Sequence, residues 1–260
     1  MDATFRAIGL ELPSKKDFNL LVERAGDQGE PTYLPCHGAV LHGRCWKLGE
    51  GLEVWTMLYE SDDGEIFYAD CRPGFRARYA HSISPWALTE YAEEGEALVH
   101  GYLYGTEVQV LFELQNFTEV SFEEFRADTL HVGLCGLAYR GRVGAKGCAR
   151  WEQLEEYAPE RATYENDWHV SGRVLAFREL RNPLSGRRLY WVHLDLEQLR
   201  LEILINRRSL RGELSIGAFL EADVWLQGHV LDRRALLSRY EGVDWSCSPT
   251  FFWQALRRRN

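Results

Sequence analysis

The chain has 260 residues and a net charge of −9, with 45% hydrophobic, 27% charged and 13% aromatic residues. This length suits one or two domains with a substantial core. No stretch approaches the roughly 18 consecutive apolar residues that span a bilayer, and Met1 to Pro13 lack the apolar run of a secretory signal. We therefore expect neither a membrane span nor secretion.

The charge is divided unevenly along the chain. Residues 1–130 contain 10 Lys+Arg and 23 Asp+Glu, whereas residues 131–260 contain 20 and 16. A net acidic chain is a poor general ligand for nucleic acids, but a local basic patch can still bind one. The overall charge therefore leaves a nucleic-acid role open for the second half.

The six cysteines follow no regular spacing. A chain that can build its own core does not need disulfides, so we expect reduced thiols and a cytoplasmic protein. The cysteines are Cys36, Cys45, Cys71, Cys135, Cys148 and Cys247.

The first predicted element is an amphipathic helix over Ser14 to Ala25. Strands are then expected over Val40 to Arg44, Val54 to Glu60 and Glu65 to Cys71, with a turn at Asp62-Asp63-Gly64 between the last two. This order predicts three consecutive strands.

The next segment predicts a helix from Ser84-Pro85 to Glu94, because Ser is a good N-cap and Pro suits the first helical position. The segment from residue 118 to 167 is expected to connect two units through a helix over Ser121 to Asp128. An apolar strand over Leu130 to Tyr139 and a helix near Trp151 to Tyr157 follow.

The second half again predicts strands, over Arg187 to Leu196 and over Leu199 to Asn206, joined by a turn at Glu197-Gln198. The hydrophobic residues from Leu199 onward alternate with period two, with one exception at Leu204. That pattern is typical of a strand with one buried side.

Two pairs of segments suggest an internal repeat. Val40 to Arg44 is similar to Val170 to Arg173, and Glu96 to Gly101 is similar to Glu221 to Gly228. Glycine inside a strand marks a bulge or bend, as the corners of barrels require. Three strands, a helix or loop and two strands are the order of an OB-fold barrel.

We therefore predict a mainly β protein with a few helices, built from tandem OB-like five-stranded barrels. The first unit covers residues 1–120 and includes the N-terminal helix. Residues 121–167 form a connector, and residues 168–260 form the second barrel with an aromatic and Arg-rich tail. A β-sandwich is not excluded by this pattern.

The two ends of the chain resemble those of a known family. Phe5-Arg6-Ala7-Ile8-Gly9 at the start, and Ile216-Gly217 with Val224 to Gly228 near the end, are similar to a bacterial, Firmicutes-type family described only as a domain of unknown function. Val170 to Asn206 is compatible with it. The resemblance implies a cytoplasmic protein and supplies no activity or catalytic residues.

Motifs for metal binding and catalysis are weak. Cys36, His37, His42 and Cys45 are possible zinc ligands, but His42 and Cys45 would lie on opposite faces of a strand, so we expect no metal. The glycines from Gly133 to Gly147 match neither common phosphate-binding motif. No nucleophile motif is present, so we expect no cofactor and lean against an enzyme.

Arginines of the second unit, near two aromatic residues, are the candidate binding site. OB-folds bind ligands on strands two and three and the adjoining loops, using aromatic stacking and cations. Interleaved acidic residues make a salt-bridged surface the competing interpretation. The candidate ligand-binding residues are Arg187, Arg188, Trp191, His193, Arg200, Arg207 and Arg208.

These observations favour a non-enzymatic binding or adaptor protein that uses its barrel surfaces, with single-stranded nucleic acid or another protein as the ligand. An enzyme with a site assembled from dispersed residues between the two units is the alternative. A scaffold that acts by self-association is a third possibility.

Overall fold

A computed structural model of the protein describes residues 2–36, 39–120, 124 and 127–231. This part of the chain is mainly β with few helices, as predicted. None of its helices is long and apolar enough to cross a membrane. The predicted tail, and most of the helix predicted over Ser121 to Asp128, lie outside the described residues.

The described elements follow one another closely along the chain. The helices are α1 Asp2–Ala7, α2 Lys15–Gln28 and α3 Leu154–Tyr157. The strands are β1 Glu30–Cys36, β2 Ala39–Gly49, β3 Leu52–Glu60, β4 Ile66–Phe75, β5 Ala80–Tyr91, β6 Glu96–Leu103, β7 Gln109–Leu114, β8 Leu130–Gly144, β9 Arg150–Gln153, β10 Asp167–Arg181, β11 Arg188–Asp195, β12 Arg200–Asn206, β13 Leu210–Arg211 and β14 Phe219–Val230.

The N-terminal layer consists of a four-stranded sheet, in the order β1-β2-β3-β4, and helix α2. The helix begins where the sequence predicts, because the Ser14 hydroxyl caps it by accepting the Asp17 N–H at 3.2 Å. The helix packs on β2 and β3 through Leu21 and Ala25, which are buried. The predicted turn between β3 and β4 is confirmed, with Gly64 at φ +81°.

The remaining strands form one large sheet whose pairings close two rings of five strands. One ring runs β5-β6-β7-β14-β8 and returns to β5, with β7 and β14 parallel. The other runs β10-β11-β12-β8-β14 and returns to β10, with β12 and β8 parallel. The rings share the long β8–β14 pair.

The repeat predicted from the sequence is not confirmed. Val40 to Arg44 lies in the four-stranded sheet, whereas Val170 to Arg173 lies in the large one. Glu96 to Gly101 forms β6, a second strand of its ring, whereas Glu221 to Gly228 belongs to the shared strand β14. The pairings instead make β5, β6, β7 and β8 of one ring equivalent to β10, β11, β12 and β14 of the other, in that order.

The helix predicted from Ser84-Pro85 to Glu94 is wrong. This segment lies in strand β5, which pairs with β6 and β8, and only Ala92–Glu94 form a single turn of 3-10 helix. Pro85 is tolerated because the register between β5 and β6 shifts between Pro85 and Ala87, at a bulge. Pairing of Ser84 to Tyr91 with β6 outweighs the local capping signal.

The predicted connector contributes a central strand. The strand expected over Leu130 to Tyr139 is confirmed as β8 and extends to Gly144. The helix expected near Trp151 to Tyr157 is confirmed over its second half, α3, while the first half is strand β9. Strands from all three predicted segments join one sheet, and the boundaries at residues 120 and 167 stay predictions.

Strand β12 is confirmed, but the prediction of one buried side is wrong. Every residue from Leu201 to Asn206 is buried. Leu201, Ile203 and Ile205 enter the core inside the rings, whereas Leu204 enters a second core between the rings and the N-terminal layer. The period-two pattern fails to reveal this because both faces of the strand are covered.

Residues 70–79, here called the crossing segment, join the N-terminal layer to the outer face of the rings. Buried polar groups of four strands hold this segment, so the two layers are fastened by specific hydrogen bonds as well as by apolar packing. The contacts are Arg72 with Glu113, Pro73 with Gln115 and Gln227, Arg76 with Glu53, and Arg78 and Tyr79 with Glu202.

Candidate functional site

Three of the predicted ligand-binding arginines are paired with carboxylates of the same chain. A guanidinium nitrogen of Arg187 lies 3.0 Å from Glu11, and one of Arg208 lies 2.8 Å from the same carboxylate. Arg188 Nε lies 3.3 Å from Glu179. Exposed pairs of this kind contribute little to stability, but they place a negative charge beside each guanidinium that would contact a phosphate.

Trp191 and His193 share one face of β11, as predicted. The indole Nε1 of Trp191 donates to Glu202 Oε2 at 2.5 Å, and the Arg78 guanidinium lies 5.6 Å from its ring centre. The His193 ring lies 5.3 Å from that of Tyr79. Both predicted stacking residues therefore pack against the crossing segment, Trp191 against Arg78 and His193 against Tyr79.

The remaining predicted residues lie at opposite ends of the β11–β12 hairpin. Arg200 pairs with Asp195 at one end, whereas Asn206, which precedes Arg207, pairs with Leu189 at the other. Six residue steps separate these ends, or about 20 Å. Arg207 donates to the Leu210 carbonyl at 3.1 Å. Arg187, Arg188, Arg207 and Arg208 therefore lie at one end of the hairpin, and Arg200 lies at the other.

The possible zinc ligands do not converge among the described residues. His42 Nε2 lies 2.6 Å from Glu60, while Cys45 is buried on the other face of β2. No group of three or more His, Cys, Asp or Glu residues could hold a metal in the described part of the chain. Cys45, Cys71, Cys135 and Cys148 are free thiols, and burial raises the pKa of the first three.

One buried ionic cluster was not predicted from the sequence. Asp223 accepts hydrogen bonds from Arg140 Nε at 2.5 Å, Arg161 Nε at 3.1 Å and His169 Nδ1 at 2.8 Å. Burial raises the pKa of Asp223, but these donors outweigh it and hold the value at about 2. The His169 ring stacks on Tyr157 at 4.0 Å and only 2% of its side chain is exposed.

This cluster fastens α3 and the turn after it to β10 and β14. His169 is buried, and its contact with Asp223 links the side chains of β10 and β14. The sequence signal for this cluster was a charged residue, Asp223, between the apolar residues Ala222 and Val224.

A second cluster lies under β4, where acidic side chains surround Arg72. Arg72 Nη1 lies 2.8 Å from Glu113 and 3.5 Å from Asp70. Burial raises the pKa of Glu113 to about 8, although Arg72 opposes that shift. Burial also raises the pKa values of Asp70 and Glu96. This region therefore holds more carboxyl groups than its one arginine can neutralise.

The most exposed apolar run in the described sheets is at the start of β4. The exposed fractions are 60% for Ile66, 49% for Phe67 and 49% for Tyr68. Tyr68 is in register with Leu58 of β3, which pairs with His42 of β2. Ile66 and Tyr68 share one face of β4, and contiguous exposed apolar surface of this kind marks interaction sites.

The register continues this surface across the sheet. His42 pairs with Tyr33 of β1, which is 72% exposed. The apolar and aromatic residues Tyr33, Leu58, Ile66 and Tyr68 therefore lie on the part of the outer face beyond the residues that α2 covers. Sequence reasoning missed this surface, because it depends on which strands are neighbours.

Comparison with known proteins shows similarity to one family over part of the chain. A family model described as "Domain of unknown function, E. rectale Gene description (DUF3881)" matches residues 156–228. This match agrees with the resemblance seen in the sequence to a Firmicutes-type domain of unknown function, and it contains Val170 to Asn206 but not Phe5 to Gly9. No curated protein and no solved structure matches the chain.

Proposed function

We propose that the chain is a non-enzymatic binding protein whose ligand is another protein, contacted through the outer face of the N-terminal sheet. The observation that carries this proposal is the run Ile66 to Tyr68, which is exposed at the edge of a sheet. Exposed apolar patches on a sheet edge are maintained where a partner covers them, because otherwise they promote aggregation.

The rings are proposed to be two OB-like units that share strands and act as the rigid base for this sheet. Each ring has five strands with one parallel pair, in keeping with the strand number of an OB-fold. The crossing segment fixes the N-terminal layer to both rings, through Glu113 of one and Glu202 of the other. A preorganised surface of this kind loses little conformational entropy when it binds.

A protein ligand is favoured over single-stranded nucleic acid. Arg187, Arg188 and Arg208 already contact carboxylates, and Trp191 is engaged by Glu202. A phosphate backbone would have to displace these internal partners, and nucleic-acid binding draws its affinity from cations that can replace counterions.

The test is a pull-down with the purified protein from a lysate of the organism that encodes it, with and without nuclease. A double variant, Ile66→Thr with Tyr68→Thr, keeps strand-forming side chains and removes the apolar surface. The matched control changes Ile216 and Tyr104 to Thr, which are 74% and 64% exposed elsewhere on the molecule.

We expect a protein that survives nuclease to be retained by the unchanged chain and the control, with recovery about tenfold lower for the β4 variant. Recovery of RNA or DNA that is lost on reversing the charge of Arg187, Arg188 and Arg208 would refute the proposal and restore the nucleic-acid hypothesis.

A further inference from the structure

The N-terminal sheet has two edges, and they are protected differently. Edge strand β1 contains Pro31 and Pro35, and proline cannot donate to an added strand. In β4 the only proline is Pro73, in the covered half, where its carbonyl accepts from Gln115 and Gln227. Residues 66–70 of β4 lack this protection, and among the described residues β4 pairs with β3 alone.

We infer that residues 66–70 of β4 accept an extended, basic segment of a partner protein as an additional strand. This inference rests on the proposed function and specifies the partner. Strand addition satisfies the free backbone groups of an edge, while side chains on alternate positions contact the two faces. The exposed Ile66 and Tyr68 on one face, with Phe67 on the other, would contact apolar residues of the added strand.

The charge of this region selects the partner. Residues 60–65 contain four Asp+Glu and no Lys or Arg. Asp62, Asp63 and Glu65 are exposed in the turn that leads into β4, and Glu60 lies opposite Ile66 on β3. Complementary charge favours a basic segment and speeds its association.

The same charges argue against two other occupants. Pairing of β4 with β4 of a second copy would bring no basic residue to the acidic turn, because Asp70 is the one charged residue in 66–71, so that pairing gains nothing from complementary charge. A nucleic acid would be repelled. Acidic residues therefore favour a basic strand at this edge over a second copy or a nucleic acid.

The test uses defined peptides and fluorescence anisotropy with the full chain. The probe alternates Lys and Val over about eleven residues, and its control alternates Glu and Val. One further probe carries N-methyl groups on its Lys residues and another on its Val residues. Each pattern blocks hydrogen bonding along one edge of the peptide backbone. We expect the Lys probe to bind, the Glu probe to fail, and one of the two methylated probes to lose binding.

Two matched variants separate charge at the edge from charge elsewhere. Asp62→Asn, Asp63→Asn and Glu65→Gln together neutralise the turn, and Glu155→Gln, Glu156→Gln and Glu160→Gln neutralise three exposed acids around α3. We expect the first set to weaken binding of the Lys probe by about tenfold or more and the second to change it by less than about twofold.

Equal binding of both methylated probes, or equal loss in both neutralised variants, would overturn strand addition at this edge. If the Lys probe binds only to a variant that carries Arg257→Glu, Arg258→Glu and Arg259→Glu, the chain's own basic residues compete for the edge. That result would overturn the inference of a partner protein. If the β4 variant loses its partner in the pull-down but no Lys probe binds, the proposed function survives and this inference fails.

Discussion

Glu202 gives the sharpest test of how the layers are held together. Its side chain is 1% exposed, and Oε1 accepts the backbone N–H groups of Arg78 at 2.6 Å and Tyr79 at 2.5 Å. Oε2 accepts the Trp191 indole N–H at 2.5 Å. Glu202→Gln replaces one of these oxygens with an NH₂ group, so a donor must then face a donor.

The cost follows from the number of hydrogen bonds affected. If the amide oxygen keeps the two backbone donors, the indole N–H of Trp191 is left buried without an acceptor. Losing a hydrogen bond to a charged group and leaving its donor buried without an acceptor lowers the free energy of unfolding by about 2–5 kcal/mol. For a chain of this size, a loss of about 3 kcal/mol corresponds to a melting temperature lower by about 6–12 °C.

The assay is urea and thermal unfolding followed by circular dichroism, in a double-mutant cycle with Trp191→Phe. Phenylalanine keeps an aromatic ring and removes the donor, so the side-chain NH₂ introduced by Glu202→Gln no longer faces an N–H in the double variant. We expect the double variant to be more stable than the sum of the single effects predicts by about 1 kcal/mol or more.

Glu213→Gln, at an exposed position, is the control and should change the free energy of unfolding by less than about 0.5 kcal/mol. Additive effects within about 0.5 kcal/mol, or a loss below about 1 kcal/mol for Glu202→Gln, would refute the assigned role of the carboxylate.

Three further predictions concern single positions. The pKa of Glu113 is raised from 4.5 to about 8, so the folded state keeps a proton that the unfolded chain releases; its stabilisation is full below about pH 4.5, falls as the pH rises, and is lost above about pH 8. Glu113→Gln should flatten the decline in urea midpoints measured between these values, and an unchanged slope would contradict the shift. Gly228→Ala should cost about 3 kcal/mol or more, because a Cβ there would overlap the buried Phe112 ring; a smaller loss would show that the ring can move. Gly26→Ala, in α2 with nothing within 4 Å of the new Cβ, should stabilise the chain by about 0.5–1 kcal/mol in the same unfolding assay, and a loss would be evidence against a helix there.

The two rings are equivalent in their strand pairings, although the segments in which the sequence predicted a repeat are not equivalent strands. Glu113 of β7 pairs with Gln227, Glu202 of β12 pairs with Cys135, and Cys135 pairs with Gln227. The two buried glutamates therefore occupy equivalent positions on the third strands of the rings. Their surroundings differ, since one contacts an arginine side chain and the other backbone amides, and so local similarity between the segments is weak.

The candidate site was predictable only in part. That Trp191 and His193 share a face followed from the two-residue period of a strand, and it is confirmed. That Trp191 would donate to Glu202 and lie beneath Arg78 could not be foreseen, because Arg78 is distant from both along the chain. The exposed edge at Ile66 was equally hidden, since an edge exists only relative to the strands that are or are not beside it.

The sequence by itself determined the local features of this protein. The cap at Ser14, the turn at Gly64 and the apolar strand from Leu130 depend on backbone conformation and on neighbours a few residues away, and these predictions are confirmed. The tertiary structure alone decided that Ser84 to Tyr91 is a strand and that β12 is buried on both faces. Pairing and burial involve partners that are distant along the chain, and their free energy outweighs local preferences of about 1 kcal/mol or less per residue.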